Sequence, residues 1–418
     1  VPDDTKPDGG PSASGETGAE PKPRQRAELV PRYKGQGYDA DSQARRRAWL
    51  EEKTGASLGL VGRTALDGEA MRGNVENPVG AAQMPLGVAG PLEIAGDHAQ
   101  GTFYVPLATT EGALVRSYER GMLAITRAGG ARVRVWRDEN RVAPLFTFRD
   151  AAAAIDFIDA LPELEAGARQ AAEATTSHGR LLRLTPHPLG REVIVEFAWS
   201  TGDAQGMNMI VRGTEAGARW LLGESGAEGF QTFSGMSAEK RAAGNLLAGG
   251  KGKRVTASVK LPRRVVGSFL GTTAAELEAM WRRTVLGHLQ AGTVGYNGHY
   301  ANGLTALFIA TGQDVANVAN AAVGVTTLEA TADGDLHASV HLPSLTVATV
   351  GGGTGLGTSR ECLAMLGCAG SGKAVKLAEI AAATVLAGEL SMGAAIAAGD
   401  FSAGHERYGR NRPAEGEG

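Results

Sequence analysis

The alternation of apolar and polar positions divides this chain into helical and extended stretches. Asp41-Ser42 offers an N-cap to a short helix through Arg45, Trp49 and Leu50. Helical spacing returns from Ala113 to Thr126, through an Ala-rich run at 149–175, and from Gly213 to Leu222. Thr272-Thr273 cap a long helix with Leu277, Met280, Trp281, Val285 and His288 at helical spacing. Ala-rich helices are predicted at 299–311 and 314–323, a helix opening near Ser359, and a last strong helix at 373–397. Arg132–Trp136, Glu192–Trp199 and Val255–Leu261 read as strands. Residues 325–330 and 336–342 form a hairpin-like pair around Asp333-Gly334-Asp335. The Gly/Pro-punctuated stretch 76–92 is expected as loop or short strands packed over something. Strands and helices mixed without strict βαβ alternation predict an α+β fold.

Composition narrows the picture. The 418 residues are enough for two or three cores, and 43% hydrophobic with 21% charged is ordinary for a soluble globular protein. Residues 1–27, rich in Pro, Gly, Ser and charge, read as a disordered tail. A net charge of −3 gives no bulk affinity for nucleic acid. Cys362 and Cys368 fit no metal-ligand spacing, so no metal is expected and a reducing, cytoplasmic compartment is. No signal peptide and no run of about 18 apolar residues is apparent, so no membrane partner is expected of this chain. Sixty glycines, about twice the usual share, imply close backbone approaches.

Candidate chemistry begins at Gly312-Gln313-Asp314, in an Ala/Leu/Ile-rich setting. A polar group buried there needs a partner, so Asp314 is expected to be buried against a cation. Glu111 follows two threonines at a helix start, which suits either a dipole-stabilised carboxylate or a functional acid. On position alone, Lys240 and the tail residue His405 read as solvated groups. The small-residue loop Gly202-Asp203-Ala204-Gln205-Gly206-Met207-Asn208-Met209 could let backbone approach a cofactor. The glycine run 351–357 lacks the βαβ frame of a dinucleotide fingerprint, and no Walker A, zinc spacing or nucleophile elbow is present.

Taken in order, Glu111, Lys240, Asp314 and His405 with their surroundings resemble the 3-hydroxy-3-methylglutaryl-coenzyme A (HMG-CoA) reductases. The resemblance rests on ENPVGAAQMPLGVAGPL at 76–92, VPLATTEGALV at 105–115, TGDAQGMNMI at 201–210 and GKGK at 250–253. It continues through GYNGHYAN at 295–302, ATGQD at 310–314, HLPSLTVATVGGGTGLG at 341–357, VLAGELS at 385–391 and Gly404-His405. It covers roughly 70–412 and looks closer to the biosynthetic class I type.

The resemblance implies two hydride reductions of a thioester to a primary alcohol (mevalonate), with NADPH and release of coenzyme A. Lys240 would stabilise the oxyanion, Asp314 would hold it, Glu111 would donate a proton with a raised pKa, and His405 on a mobile flap would protonate the thiolate. Arg141, Ser234, Arg283 and Asn302 would contact substrate. Asp203, Gly206, Met207, Asn208, Met209, Ser177 and His178 would line the cofactor site. The implied organisation is a helical region at 28–75, a large domain at 76–141 and 233–397 around a long central helix (272–291), and a ferredoxin-like cofactor domain inserted at 142–232. Residues 398–418 would be flap and tail, and the enzyme would be at least a homodimer.

Three departures from the family pattern stand out. The 234–240 segment is one residue shorter, with Glu239 for Asp and Arg241 for Lys, so its loop takes a different path. His178 replaces the arginine that often grips a 2′-phosphate, which leaves NADH open beside NADPH, with Arg180 as a possible substitute. The phosphorylatable serine after the histidine is absent, so that regulation is not expected. A related acyl-CoA reductase and a non-catalytic CoA-binding paralogue remain the alternative readings.

Overall fold

A computed structural model describes residues 28–33, 35 and 37–399. The expected tail at 1–27, His405 and the rest of the flap from 400 onward lie outside the described residues. Helix α1 (Ala40–Thr54) is capped two residues earlier than expected, by Asp39, which accepts from the Ser42 N–H at 2.8 Å. Strands β1 (Leu86–Gly96) and β2 (Gln100–Ala108) pair antiparallel, with a bulge between Ala89 and Leu92. So the second half of the 76–92 stretch is a full strand, and only its first half is loop. Helix α2 (Leu114–Arg127) then leads into β3 (Ala131–Val142).

The next elements are β4 (Leu145–Thr147), α3 (Ala151–Glu173), β5 (Arg180–Leu189), β6 (Glu192–Ser200), α4 (Met207–Glu224) and β7 (Gly229–Gln231). Strand β5 carries Pro186 and Pro188, which an edge strand tolerates, and β6 is its partner. These strands lie in the order β7-β4-β6-β5, all pairs antiparallel, with α3 and α4 as the intervening helices. They enclose a hydrophobic cluster of their own around Phe146, Phe157, Phe197 and Trp199. Gly213 lets α4 press onto that sheet, since a Cβ there would stand 2.5 Å from the Trp199 ring.

The chain returns with β8 (Gly252–Leu261), the turn α5 (Arg263–Val265), α6 (Ala274–Ala291), α7 (Tyr300–Thr311) and α8 (Val318–Ala321). Strands β9 (Val325–Ala330) and β10 (Leu336–Leu345) form the expected hairpin, and α9 (Gly357–Met365) and α10 (Ala374–Ala397) follow. Among the described residues the sheet runs β7-β4-β6-β3-β8-β10-β9, with β1 and β2 beside β3 and β5 beside β6. Strand β3 belongs to both parts: 132–139 pair with β8, and 140–142 pair with β6.

The central helix is α10, not 272–291. Thr273 and Glu276 close a capping box on α6, yet only Ala274 and Leu277 of that helix are buried. Helix α10 is buried from Leu377 to Ser391 and packs on α2, β8 and α7. Its length and composition would also allow a membrane span, but its apolar surface is covered by the protein's own core. Two carboxylates sit inside that core. Glu379 accepts from the Asp97, His98 and Ala99 N–H groups, and Glu389 from Gly298, His299 and the Thr326 hydroxyl. Burial pushes the Glu389 carboxyl up, and these donors oppose it.

Candidate active site

Gly312 ends α7 in a left-handed conformation, and a Cβ there would meet the Gly353 carbonyl oxygen at 2.3 Å. Gln313 is buried and stitches this corner to Ala348, donating to its carbonyl at 3.0 Å and accepting from its N–H at 2.8 Å. Asp314 therefore emerges at a fixed point. It is not buried as expected: its side chain is 39% exposed and caps a short 3-10 turn through the Ala316 N–H. Its cation is the expected one. Lys240, its side chain 44% exposed, places Nζ 2.8 Å from Asp314 Oδ2. The hydrogen bond from Lys240 to Asp314 raises the ammonium's pKa, against the opposing effect of partial burial.

Lys240 sits on a loop whose backbone is unusual. Ala238 and Lys240 have φ of 53° and 54°, a region that non-glycine residues seldom occupy and that constrained sites hold at a cost. At the start of this loop the Ser234 hydroxyl donates to the Ala143 carbonyl at 2.7 Å, which brings it next to the Arg141 strand. Arg141 stands at the β3 crossing and donates to Glu196 Oε2 at 2.8 Å. Its Nε and Nη2 are buried and have no hydrogen-bond partner among the described residues. Buried guanidinium N–H groups left open are costly, so this is a place where an anion would be welcome.

Glu111 lies just before α2 on an exposed turn, where its N–H is held by the Thr109 hydroxyl. Asn302, in the first turn of α7, donates to Glu111 Oε2 at 2.7 Å. Both border a cleft of about 390 Å³ that also meets Thr110, Thr305 and Ile309. Tyr118 wedges α7 against α2, its hydroxyl donating to the His299 carbonyl at 3.0 Å. Gly303 and Gly388 make room for that ring, since a Cβ at Gly303 would stand 2.2 Å from the Tyr118 hydroxyl. Among the described residues no hydrogen bond or ion pair joins the Glu111–Asn302 pair to the Lys240–Asp314 pair. Arg283 is exposed on α6.

The cofactor candidates gather at the start of α4. Gly206 is left-handed and no side chain caps the helix, so the N–H groups around Met207, Asn208 and Met209 are open. The Ser177-His178 turn is exposed, and the adjoining Gly179 packs beside Met209. Asp203 faces the other way. Its carboxylate accepts from the Gly372, Lys373 and Ala374 N–H groups at 2.6, 3.0 and 3.0 Å, which ties this turn to the start of α10. Partial burial pushes the Asp203 carboxyl up, but these three N–H groups outweigh it and hold it below the usual range. Lys251, Glu389 and Tyr118, all buried beside these segments, are not among the residues expected from sequence. Glu389 was findable, since a carboxyl in an apolar helix needs donors just as Asp314 was argued to need a cation. Among the described residues no His/Cys/Asp/Glu group could hold a metal.

An ammonium held by an acid and left open is the equipment of enzymes that act on carbonyl carbons. Comparison with known proteins names the family. The sequence profile of hydroxymethylglutaryl-coenzyme A reductase matches residues 42–410. The 3-hydroxy-3-methylglutaryl-coenzyme A reductase of Methanothermobacter thermautotrophicus is 43% identical over 368 residues, 87% of this chain and 92% of that protein. That of Aeropyrum pernix is 44% identical over 381 residues, 87% and 89% of the two chains. A solved class II 3-hydroxy-3-methylglutaryl-CoA reductase of Streptococcus pneumoniae, bound to NADPH in open conformations, has the same fold. It superposes with a TM-score of 0.66 at 20% identity over 84% of this chain and 86% of that one. The chain belongs to the hydroxymethylglutaryl-coenzyme A reductase family, on the side of the archaeal, class I members.

Proposed function

We propose that this chain reduces HMG-CoA to mevalonate in two steps and releases coenzyme A. The observation that carries the reading is the Lys240–Asp314 pair, 2.8 Å apart between a constrained loop and the end of α7, and open to a ligand. The pair converts a general family likeness into a specific chemical device. Lys240 offers N–H donors to the oxyanion that forms when the thioester carbonyl is reduced, and removing one such donor costs about 3–4 kcal/mol of barrier. Asp314 keeps that ammonium charged and aimed. Glu111, steadied by Asn302, supplies a proton on the aldehyde side. The unpartnered Nε and Nη2 of Arg141 receive the substrate's free carboxylate, with Ser234 held near that strand through Ala143. By the family resemblance His405 protonates the departing thiolate.

NADPH is the proposed reductant, and the start of α4 suits it. A left-handed Gly206 and an uncapped helix N-terminus offer N–H groups to a pyrophosphate. When bound, the nicotinamide supplies the hydrides. Asp203 fixes this turn from behind, through α10. His178 and Arg180 are the side chains by the expected 2′-phosphate position, so NADH is the alternative cofactor. The strand order β7-β4-β6-β5 with α3 and α4 supports reading 142–232 as an inserted ferredoxin-like domain, and the separate cluster around Trp199 supports its boundaries. A homodimer is part of the proposal. Leu286 and Leu289 on α6 are 67% and 58% exposed, and among the described residues no hydrogen bond or ion pair joins the two catalytic pairs. The free, buried Cys362 and Cys368 agree with a reducing cytoplasmic setting.

The test is direct. Purified protein with HMG-CoA is expected to oxidise NADPH, and to do so more slowly or not at all with NADH. Absence of oxidation with both cofactors contradicts the proposal. Sedimentation of the same sample reads the dimer, and a monomer that is fully active removes that part.

A further inference from the structure

Next to Lys240 in the chain, Glu239 turns to a second lysine. Lys251 is completely buried, and its ammonium forms an ion pair with Glu239 Oε2. The same Nζ lies 3.3 Å from Met207 Sδ, in the first turn of α4. Gln205 donates to Glu239 Oε1 at 3.4 Å, and Asn140 donates to the Gln205 carbonyl at 3.1 Å. One ammonium therefore touches both the loop that carries Lys240 and the turn that offers open N–H groups to a cofactor.

The surroundings press the backbone into place around it. Gly250 and Gly252 have φ of 94° and 85°. A Cβ at Gly252 would stand 2.5 Å from the Leu345 carbonyl oxygen, and one at Gly250 would stand 2.8 Å from Arg141 Nη1. Burial pushes the Lys251 pKa down, Glu239 pulls it up, and Arg141 and Lys240 push it further down. Packing alone does not call for a charge here, because an apolar side chain of similar length fills such a space without the desolvation cost. The charge is explained by what it grips.

We propose that Lys251 is a positioning residue that, through Glu239, holds Lys240 in its left-handed backbone and, through Met207, locks that loop to the cofactor turn. Lys251 itself touches neither substrate nor cofactor. The inference rests on the proposed reduction for its kinetic consequence, but the anchoring can be read without activity. Hydrogen exchange on the full chain is compared between wild type, Lys251→Met and Lys251→Arg at 236–246 and 204–210, and steady-state kinetics are run beside it.

In Lys251→Met, faster exchange is expected in both segments and not in α10. Its kcat should fall about 10- to 100-fold, as for a misplaced catalytic group, with the KM for HMG-CoA changed less than about threefold. Lys251→Arg should recover part of both. If the Met variant does not fold, Lys251→Gln carries the same two readouts with a smaller expected effect. Wild-type exchange in both segments overturns the anchoring, whatever the activity. Faster exchange with kcat per folded enzyme within about twofold of wild type overturns the positioning role. An inactive wild type that shows the exchange effect contradicts the proposed reduction and leaves the anchoring standing.

Discussion

Two lysine–carboxylate pairs meet through the neighbours Glu239 and Lys240, and they are built in opposite ways. Lys240–Asp314 is open, with side chains 44% and 39% exposed. Lys251–Glu239 is shut, at 0% and 23%. The open pair has its ammonium stabilised, since the hydrogen bond to Asp314 raises the Lys240 pKa. The shut pair has its ammonium penalised, since burial lowers the Lys251 pKa and Glu239 only partly opposes it. An ammonium that must meet a developing oxyanion has to be reachable and firmly charged. One that holds a loop has to be unreachable, and it tolerates the desolvation cost because its partner is fixed. The contrast separates chemistry from support within a few residues of chain.

Substitutions in the open pair should therefore remove activity and leave stability nearly untouched. Lys240→Ala is expected to lower kcat by about 100- to 1,000-fold with a melting temperature close to wild type. A large fall in melting temperature would erase the distinction between the pairs. Asp314→Asn keeps the shape but loses the charge that holds Lys240, and a fall of about 10- to 100-fold in kcat is expected. An Asn variant as active as wild type would show that Lys240 needs no anchor.

Carboxylates that hold backbone N–H groups should behave in the reverse sense. Glu389→Ala strands the Gly298 and His299 N–H groups inside the core, and a loss of about 2–3 kcal/mol is expected in denaturant unfolding. A loss below about 0.5 kcal/mol would mean that water replaces the carboxylate. The smallest expected effect is at Asp203. Asp203→Ala removes the cap on α10 and should cost about 1 kcal/mol. Its folded pKa is depressed, so this contribution is fully present above the usual carboxylate pKa of 3.8 and is lost as pH falls through the depressed value. Melting curves of wild type and variant should converge in that acidic window. A gap that persists below it would assign the effect to packing instead.

Much of this architecture was legible in the sequence, and the exceptions have physical causes. Periodicity located α2, α6, α7, α10, β6 and β8, because each keeps a clean apolar pattern. Strand β1 was obscured by Gly87, Gly90 and Pro91, and β5 by Pro186 and Pro188, residues that a bulge or an edge tolerates. The central helix that the resemblance implied was placed at 272–291, one helix too early in the chain. The Thr273–Glu276 box says that α6 starts well, while burial is decided by which faces have neighbours. The Lys240–Asp314 contact followed from the family resemblance and from no spacing rule. Asp314 is half-exposed rather than buried, because its neighbour Gln313 takes the interior position. Lys251, set among glycines, reads as a surface loop residue until its partner on another segment is seen.

The central claim is a four-electron reduction carried out at the open pair. It is tested most directly by the stoichiometry of complete turnover of a limiting amount of HMG-CoA, with NADPH oxidised and free thiol released measured in the same cuvette. Two NADPH consumed for each coenzyme A thiol released is the predicted result. One NADPH per thiol, or thiol released with no NADPH consumed, would contradict it.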